Sequence, residues 1–158
     1  GTIHGGTAGN IVAAETEMTG TLRTTDPAVR EKIIDAMTRQ VSCTCQAMGG
    51  SGEVVIVPGY AALINSDEIV DVLVETAEEV LGSQHIHPKK FPSLGVEDFS
   101  FFLEKAKGVF YHLGCANREK GITAPLHSQA FDIDDECLKL GVQLQAQLAL
   151  KLLKRDIA

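Results

Sequence analysis

The segment from Asp134 to about Lys154 constrains the fold more than any other stretch. Read at helical period, it carries one apolar stripe of Leu138, Val142, Ala146, Ala149, Leu150 and Leu153, and a second of Leu140, Leu144, Leu148 and Leu152. A helix apolar around so much of its circumference needs cover on more than one side, so it is expected to lie between a sheet and other helices. A second helix is written as clearly. Ser66 caps it, Asp67 and Glu68 put negative charge at the positive end of its dipole, and Gly82 ends it. Ile69, Val70, Leu73, Val74, Ala77, Val80 and Leu81 form its inward face.

Upstream the period changes. From Ala14 to Thr24 the pattern alternates with a period of two, as in a half-exposed strand. Asp26-Pro27 then opens a helix with the stripe Val29, Ile33, Ala36, Met37, Val41 and Met48, ended by Gly49-Gly50. Glu53 to Val57, His85 to Phe91 and Val109 to Leu113 read as strands, and Glu97 to Ala106 as a short helix. The chain therefore divides into two lobes, residues 1 to about 63 and residues 64 to 158. The first lobe reads strand, strand, helix, strand, the first strand at the very start of the chain, and one helix on a three-stranded sheet leaves it open on one face. With no Met and no cap or turn chemistry before Gly1-Thr2-Ile3-His4, the chain is expected to be a segment of a longer protein.

Composition narrows function. The chain has 158 residues, 44% hydrophobic and 22% charged, which is ordinary globular usage. A formal charge of -7 argues against a nucleic-acid surface, because phosphate binding needs clustered Lys and Arg. The cations from Lys151 to Arg155 instead close a helix, where they favour the dipole. No apolar run reaches the roughly 20 residues of a membrane helix, so a cytoplasmic protein is expected. Cys43 and Cys45 point to different sides of their helix, which suits neither a disulfide nor a shared zinc, and all four cysteines are expected as reduced thiols.

The chemistry concentrates at Ala124-Pro125-Leu126-His127-Ser128. A proline-stiffened loop delivering an imidazole just ahead of a helix suits a metal ligand. His85-Ile86-His87 places two imidazoles on one side of an extended segment but has no third ligand nearby in sequence. Glu78-Glu79 lies on the polar face of its helix and reads as solvated. Cys115 beside His112 or His127 leaves a thiolate hydrolase open as an alternative, and a non-catalytic association module is a third reading.

Five motifs in order carry a resemblance: Gly6-Thr7-Ala8-Gly9-Asn10-Ile11-Val12, Gly20-Thr21-Leu22-Arg23-Thr24, Glu97-Asp98-Phe99-Ser100, Leu113-Gly114 and Pro125-Leu126-His127-Ser128. The series resembles the C-terminal part of the aminoacylase and carboxypeptidase metallohydrolases, in the branch of hippurate and auxin-conjugate hydrolases. That resemblance implies an α/β architecture in which residues 1–63 are the second half of an α+β, ferredoxin-like lid that also dimerises. Residues 64–158 are then the returning half of an α/β catalytic domain. It implies hydrolysis of N-acyl or N-aroyl amino acids or short peptides by water activated on two divalent metals, whether zinc, manganese, cobalt or nickel. His127 matches the last metal ligand; the other ligands and the general base are expected upstream, so the segment alone is expected to be inactive. Asn10 and Arg23 match lid positions that contact substrate, the Arg taking its carboxylate. Glu97 and Asp98 fall at the active-site wall, in a supporting or substrate-facing role. Gly114 either lets substrate approach the backbone or makes a turn.

Overall fold

A computed structural model describes residues 1–155. It is a mixed structure of helices and one small antiparallel sheet, in the order β1 (Thr2–Gly5), β2 (Thr16–Thr19), α1 (Pro27–Ala47), α2 (Asp67–Leu81), α3 (Ser100–Leu103) and α4 (Glu136–Arg155), with a 3-10 turn at Ser83–His85. The chain forms two compact units: Gly1–Ala62 with Ser93–Gly95, and Leu63–Pro92 with Val96–Ala158. The last three residues of the expected catalytic half lie outside the described residues.

In the first unit β1 and β2 pair antiparallel, with Ile3 opposite Met18 and Thr2 opposite Thr19. The Thr2 and Thr19 hydroxyls share a hydrogen bond of 2.6 Å. The strand expected over Ala14 to Thr24 shortens to four residues because its only ladder partner, β1, is four residues long. Helix α1 begins where the sequence says it should: the Asp26 carboxylate accepts from Ala28 N at 2.7 Å and Val29 N at 3.3 Å. It ends in a Schellman closure, with Gly50 N donating to Cys45 O at 2.8 Å and Gly49 N to Gln46 O at 3.0 Å. Gly49 takes φ +77°, a conformation that glycine adopts without steric cost. The Glu53 to Val57 run forms no ladder among the described residues, and Val55 and Val57 are exposed. A β-branched run favours a strand only when another strand supplies the hydrogen bonds.

The second unit has a core. Val72, Leu73 and Ala77 of α2 pack with Leu144 and Leu148 of α4, flanked by Leu81, Ile86, Val109, Tyr111 and Leu152. Helix α2 has the expected bounds, but Ser66 makes no side-chain cap bond, leaving Asp67 and Glu68 to complement the dipole. Its inward face is rotated from the expected one. Val72 and Thr76 are buried, and the Thr76 hydroxyl is satisfied by donating to Val72 O at 2.6 Å. Of the two stripes of α4, the second buries Leu144 and Leu148, with Leu152 half-buried and Leu140 exposed, while Leu138, Val142, Leu150 and Leu153 of the first stay exposed. The helix is therefore covered on one side, by α2, rather than held between a sheet and helices. Along that seam Lys151 reaches Glu79 at 2.7 Å and Glu75 at 3.2 Å, and Arg155 reaches Glu75 at 2.6 Å. The Arg155 and Lys151 bonds hold the Glu75 carboxyl below its usual range.

Three local expectations of this unit are corrected. His85 ends the 3-10 turn that starts at Ser83, and the chain from Ile86 to Phe91 is irregular, with Ile86 anchored against the core. The helix expected over Glu97 to Ala106 contracts to α3. Val109 to Leu113 gains no ladder; instead the Asn65 side-chain amide accepts from Phe110 N at 2.8 Å and donates to Phe110 O at 2.9 Å. One side chain thus makes the pair of bonds that one rung of a strand ladder would make.

Candidate active site

The loop between Gly114 and α4 carries His127 and is tied down at both ends. Cys115 O accepts from Asp134 N at 2.9 Å. Asn117 and Ile122 form an isolated bridge, each donating to the other at 2.8 Å, and the Asn117 side chain accepts from Glu119 N and Lys120 N. The carboxylate of Asp134 closes the arrangement, accepting from Asn117 Nδ2 at 2.5 Å, Lys120 Nζ at 2.7 Å and Glu136 N at 3.4 Å. Its side chain is only 16% exposed, so the pair is shielded on the carboxylate side. The Lys120 ammonium first, and then the Asn117 amide, lower the Asp134 carboxyl from 3.8 to about 2, and the same bond raises Lys120.

Within this frame Pro125 O accepts from Ser128 N at 3.2 Å, which closes a four-residue turn with His127 in its third position. His127 has φ +65° and is the sole non-glycine residue with positive φ among the described residues. A β-turn with positive φ at that position ordinarily uses glycine or asparagine. A Cβ there crowds the following carbonyl at a cost of about 1–2 kcal/mol. The imidazole is thus presented, exposed, from a backbone that glycine would suit better. The Ser128 hydroxyl accepts from Ala130 N at 3.2 Å and continues the turn.

The other expected residues are distributed over both units. Asn10 is exposed in the turn from Ala8 to Ile11, and Arg23 is exposed with its Nη1 donating to Leu94 O at 2.7 Å; both belong to the first unit. Glu97 and Asp98 are exposed just before α3, their carbonyls accepting from Ser100 N and Phe101 N. Ser100 beneath them is 1% exposed. The adjoining Phe99 ring stacks at 5.8 Å on both Phe102 and Phe110, and Phe110 meets the His112 ring edge-on at 5.8 Å. Gly114 is exposed, and a Cβ built on it would meet nothing within 4 Å, so packing within this chain does not require glycine there. No hydrogen bond or ion pair joins any two of Asn10, Arg23, Glu97, Asp98, Gly114 and His127 among the described residues.

Among the described residues, no group of three or more His, Cys, Asp or Glu side chains is arranged to hold a metal ion. His127 is a suitable single donor, but one imidazole does not hold a metal pair. Cys115 is half-buried and makes no hydrogen bond to His112 or His127, so the base that a thiolate nucleophile needs is not in place. No helix among the described residues is long and apolar enough to cross a membrane. Sequence reading missed the roles of Asn117, Lys120 and Asp134; the one local signal was the Asn117 to Gly121 turn composition.

The family model described as peptidase family M20/M25/M40 matches residues 6–151. The chain belongs to this family. It is 40% identical to Thermostable carboxypeptidase 2 of Saccharolobus solfataricus over 95% of this chain and 37% of that protein. It is 29% identical to N-acetylcysteine deacetylase of Bacillus subtilis over 96% of this chain and 38% of that one. A crystal structure from Bacillus subtilis, described as a dinuclear metal binding peptidase from the M20 family, superimposes with a TM-score of 0.85 at 28% identity, over 98% of this chain and 41% of that one. The chain thus spans a little over a third of the length of the curated relatives it matches. Family membership agrees with the resemblance carried by the five motifs.

Proposed function

We propose that this chain contributes part of the active site of a metal-dependent amidohydrolase that cleaves N-acyl or N-aroyl amino acids or short peptides. The observation that carries the reading is His127 at φ +65° in the Pro125–Ser128 turn. A histidine kept where glycine would relieve the backbone is best explained by what its imidazole does. The M20-type relative described as dinuclear supports a metal pair, for which zinc, manganese, cobalt and nickel are all chemically suitable. When bound, such a pair supplies Lewis acidity and an activated water.

In this reading His127 donates to one metal, and the remaining ligands and the general base lie outside these 158 residues. Arg23 receives the substrate carboxylate, and Asn10, with a donor and an acceptor on one amide, contacts the substrate amide. Glu97, Asp98 and Gly114 border the pocket. Residues 1–63 then serve as half of a dimerising lid and residues 64–158 as half of the catalytic domain. The four free thiols accord with a reducing compartment, the cytoplasm.

The test uses the full-length protein and N-benzoylglycine. Loss of groups that merely orient a ligand costs about 10–100-fold, so His127→Ala and His127→Gly should each lower metal-supported hydrolysis by more than about 100-fold. His127→Gly should meanwhile raise stability by about 1 kcal/mol, because the turn strain is relieved. Activity retained with full metal occupancy in either variant rules the assignment out.

A further inference from the structure

Of the six expected site residues, Arg23 alone is held by a side-chain hydrogen bond among the described residues, and its partner is 71 positions away. The segment Ser93–Gly95, which interrupts the sequence of the second unit, belongs with the first, where Leu94 O accepts from Arg23 Nη1 at 2.7 Å. We infer that Leu94 is a positioning residue whose carbonyl orients the Arg23 guanidinium to receive a carboxylate on its free Nε–Nη2 edge. This rests on the substrate-contact role proposed above for Arg23 and names the group that makes it effective.

The chemistry of the guanidinium supports the assignment. It is planar, with five N–H donors in a fixed fork, and a carboxylate takes two parallel donors from one edge. Nη1 lies on the side of the group away from the Nε–H edge, so a bond at Nη1 leaves Nε and Nη2 available together. Neither makes a hydrogen bond among the described residues, and Arg23 has no carboxylate partner there. A carbonyl is neutral, so it fixes the plane without cancelling the charge. Arg155 shows the contrast: its Nη2 already meets both oxygens of Glu75, at 2.9 and 2.6 Å, and its charge is taken. Arg30 also donates to a carbonyl, Tyr60 O, but at a weaker 3.5 Å. Holding a long side chain before ligand arrives removes part of the ordering cost of binding, which is what the short Arg23 bond provides.

The experiment uses the full-length protein with nitrogen-15 arginine and magnetic resonance of the guanidinium groups, titrated with N-acetylglycine and, as the neutral comparison, N-acetylglycinamide. Restricted rotation at Arg23 Nη1 before titration, and a shift of the Nε–H signal with the acid but not the amide, are the results expected. Replacing the Leu94–Gly95 amide by an ester weakens the carbonyl as an acceptor and should reduce the affinity for N-acetylglycine about 3- to 10-fold. Arg23→Lys keeps the charge but lacks the fork, and should lose about tenfold or more. Free rotation of the Arg23 guanidinium in the unliganded protein, from whatever cause, overturns the inference, as does an ester variant with unchanged affinity. If Arg23→Ala binds N-acetylglycine as well as the parent, the substrate-contact role falls with it. The metal role of His127 is decided separately by the hydrolysis assay.

Discussion

Helices α1 and α4 begin from comparable sequences and meet different fates. Both are about twenty residues long and amphipathic, and both open at an aspartate whose carboxylate accepts from the first turn. Yet α4 buries Leu144 and Leu148 against α2, whereas α1 buries nothing and does not pack on the β1–β2 pair. The whole first unit has no buried residue among those described, and Ile3, Met18, Val55 and Val57 all face outward. The lesson is that a stripe of the right period is a request for a partner. Helix α2 answers it for α4, and among the described residues no other helix or strand answers it for α1.

The comparison breaks or sharpens under substitution. Leu144→Ala removes a side chain that is 2% exposed and should destabilise the second unit by about 2–5 kcal/mol in denaturant unfolding. Ile33→Ala, at the equivalent place on the α1 stripe, should cost less than about 1 kcal/mol because the side chain is only half-buried. Equal losses would show that α1 has a core of its own. Next in size is Gly49→Ala. A Cβ there meets nothing within 4 Å, so the cost is the backbone strain at φ +77°, about 1 kcal/mol, read as fraying of α1 alone by amide exchange.

The smallest effect concerns the loop that frames His127. Folding lowers the Asp134 carboxyl from 3.8 to about 2, so its contribution is fully present above the higher value and fades as pH falls through the lower one. The difference in stability between parent and Asp134→Asn should be constant at about pH 5 to 7 and close between about pH 4 and 2. A gap that persists at pH 2 would mean the carboxylate does not tether the loop.

Reading the sequence located α1, α2 and α4, because each is specified by neighbours in the chain; it placed His127 on a proline-stiffened loop but did not show the turn that the loop makes. Ile69, Leu73 and Ala77 were identified as core from their spacing, but Val72 and Thr76 were not, since threonine at a buried position depends on a local acceptor that the pattern does not reveal. The strands were the weakest expectation. Val109 to Leu113 has strand composition, yet its rung is supplied by Asn65, a residue nothing in the pattern singles out. At the candidate site, the motif order gave Arg23 and His127, while the Leu94 carbonyl and the Asp134 anchor are invisible to motif reading because a carbonyl has no residue signature and an ion pair no fixed spacing.

What the sequence determined by itself were features that close over a few residues: the Asp26 cap, the Gly49-Gly50 closure and the extent of α2. What tertiary structure decided was which of two leucine stripes on α4 turns inward, which extended runs find a ladder, and which carbonyl holds Arg23. The physical reason is range. A cap or turn is satisfied by groups within five residues of one another, whereas the strand pairing joins residues 11 to 17 positions apart, the Arg23 bond spans 71, and the core joins Val72 to Leu144, and no local pattern encodes these approaches.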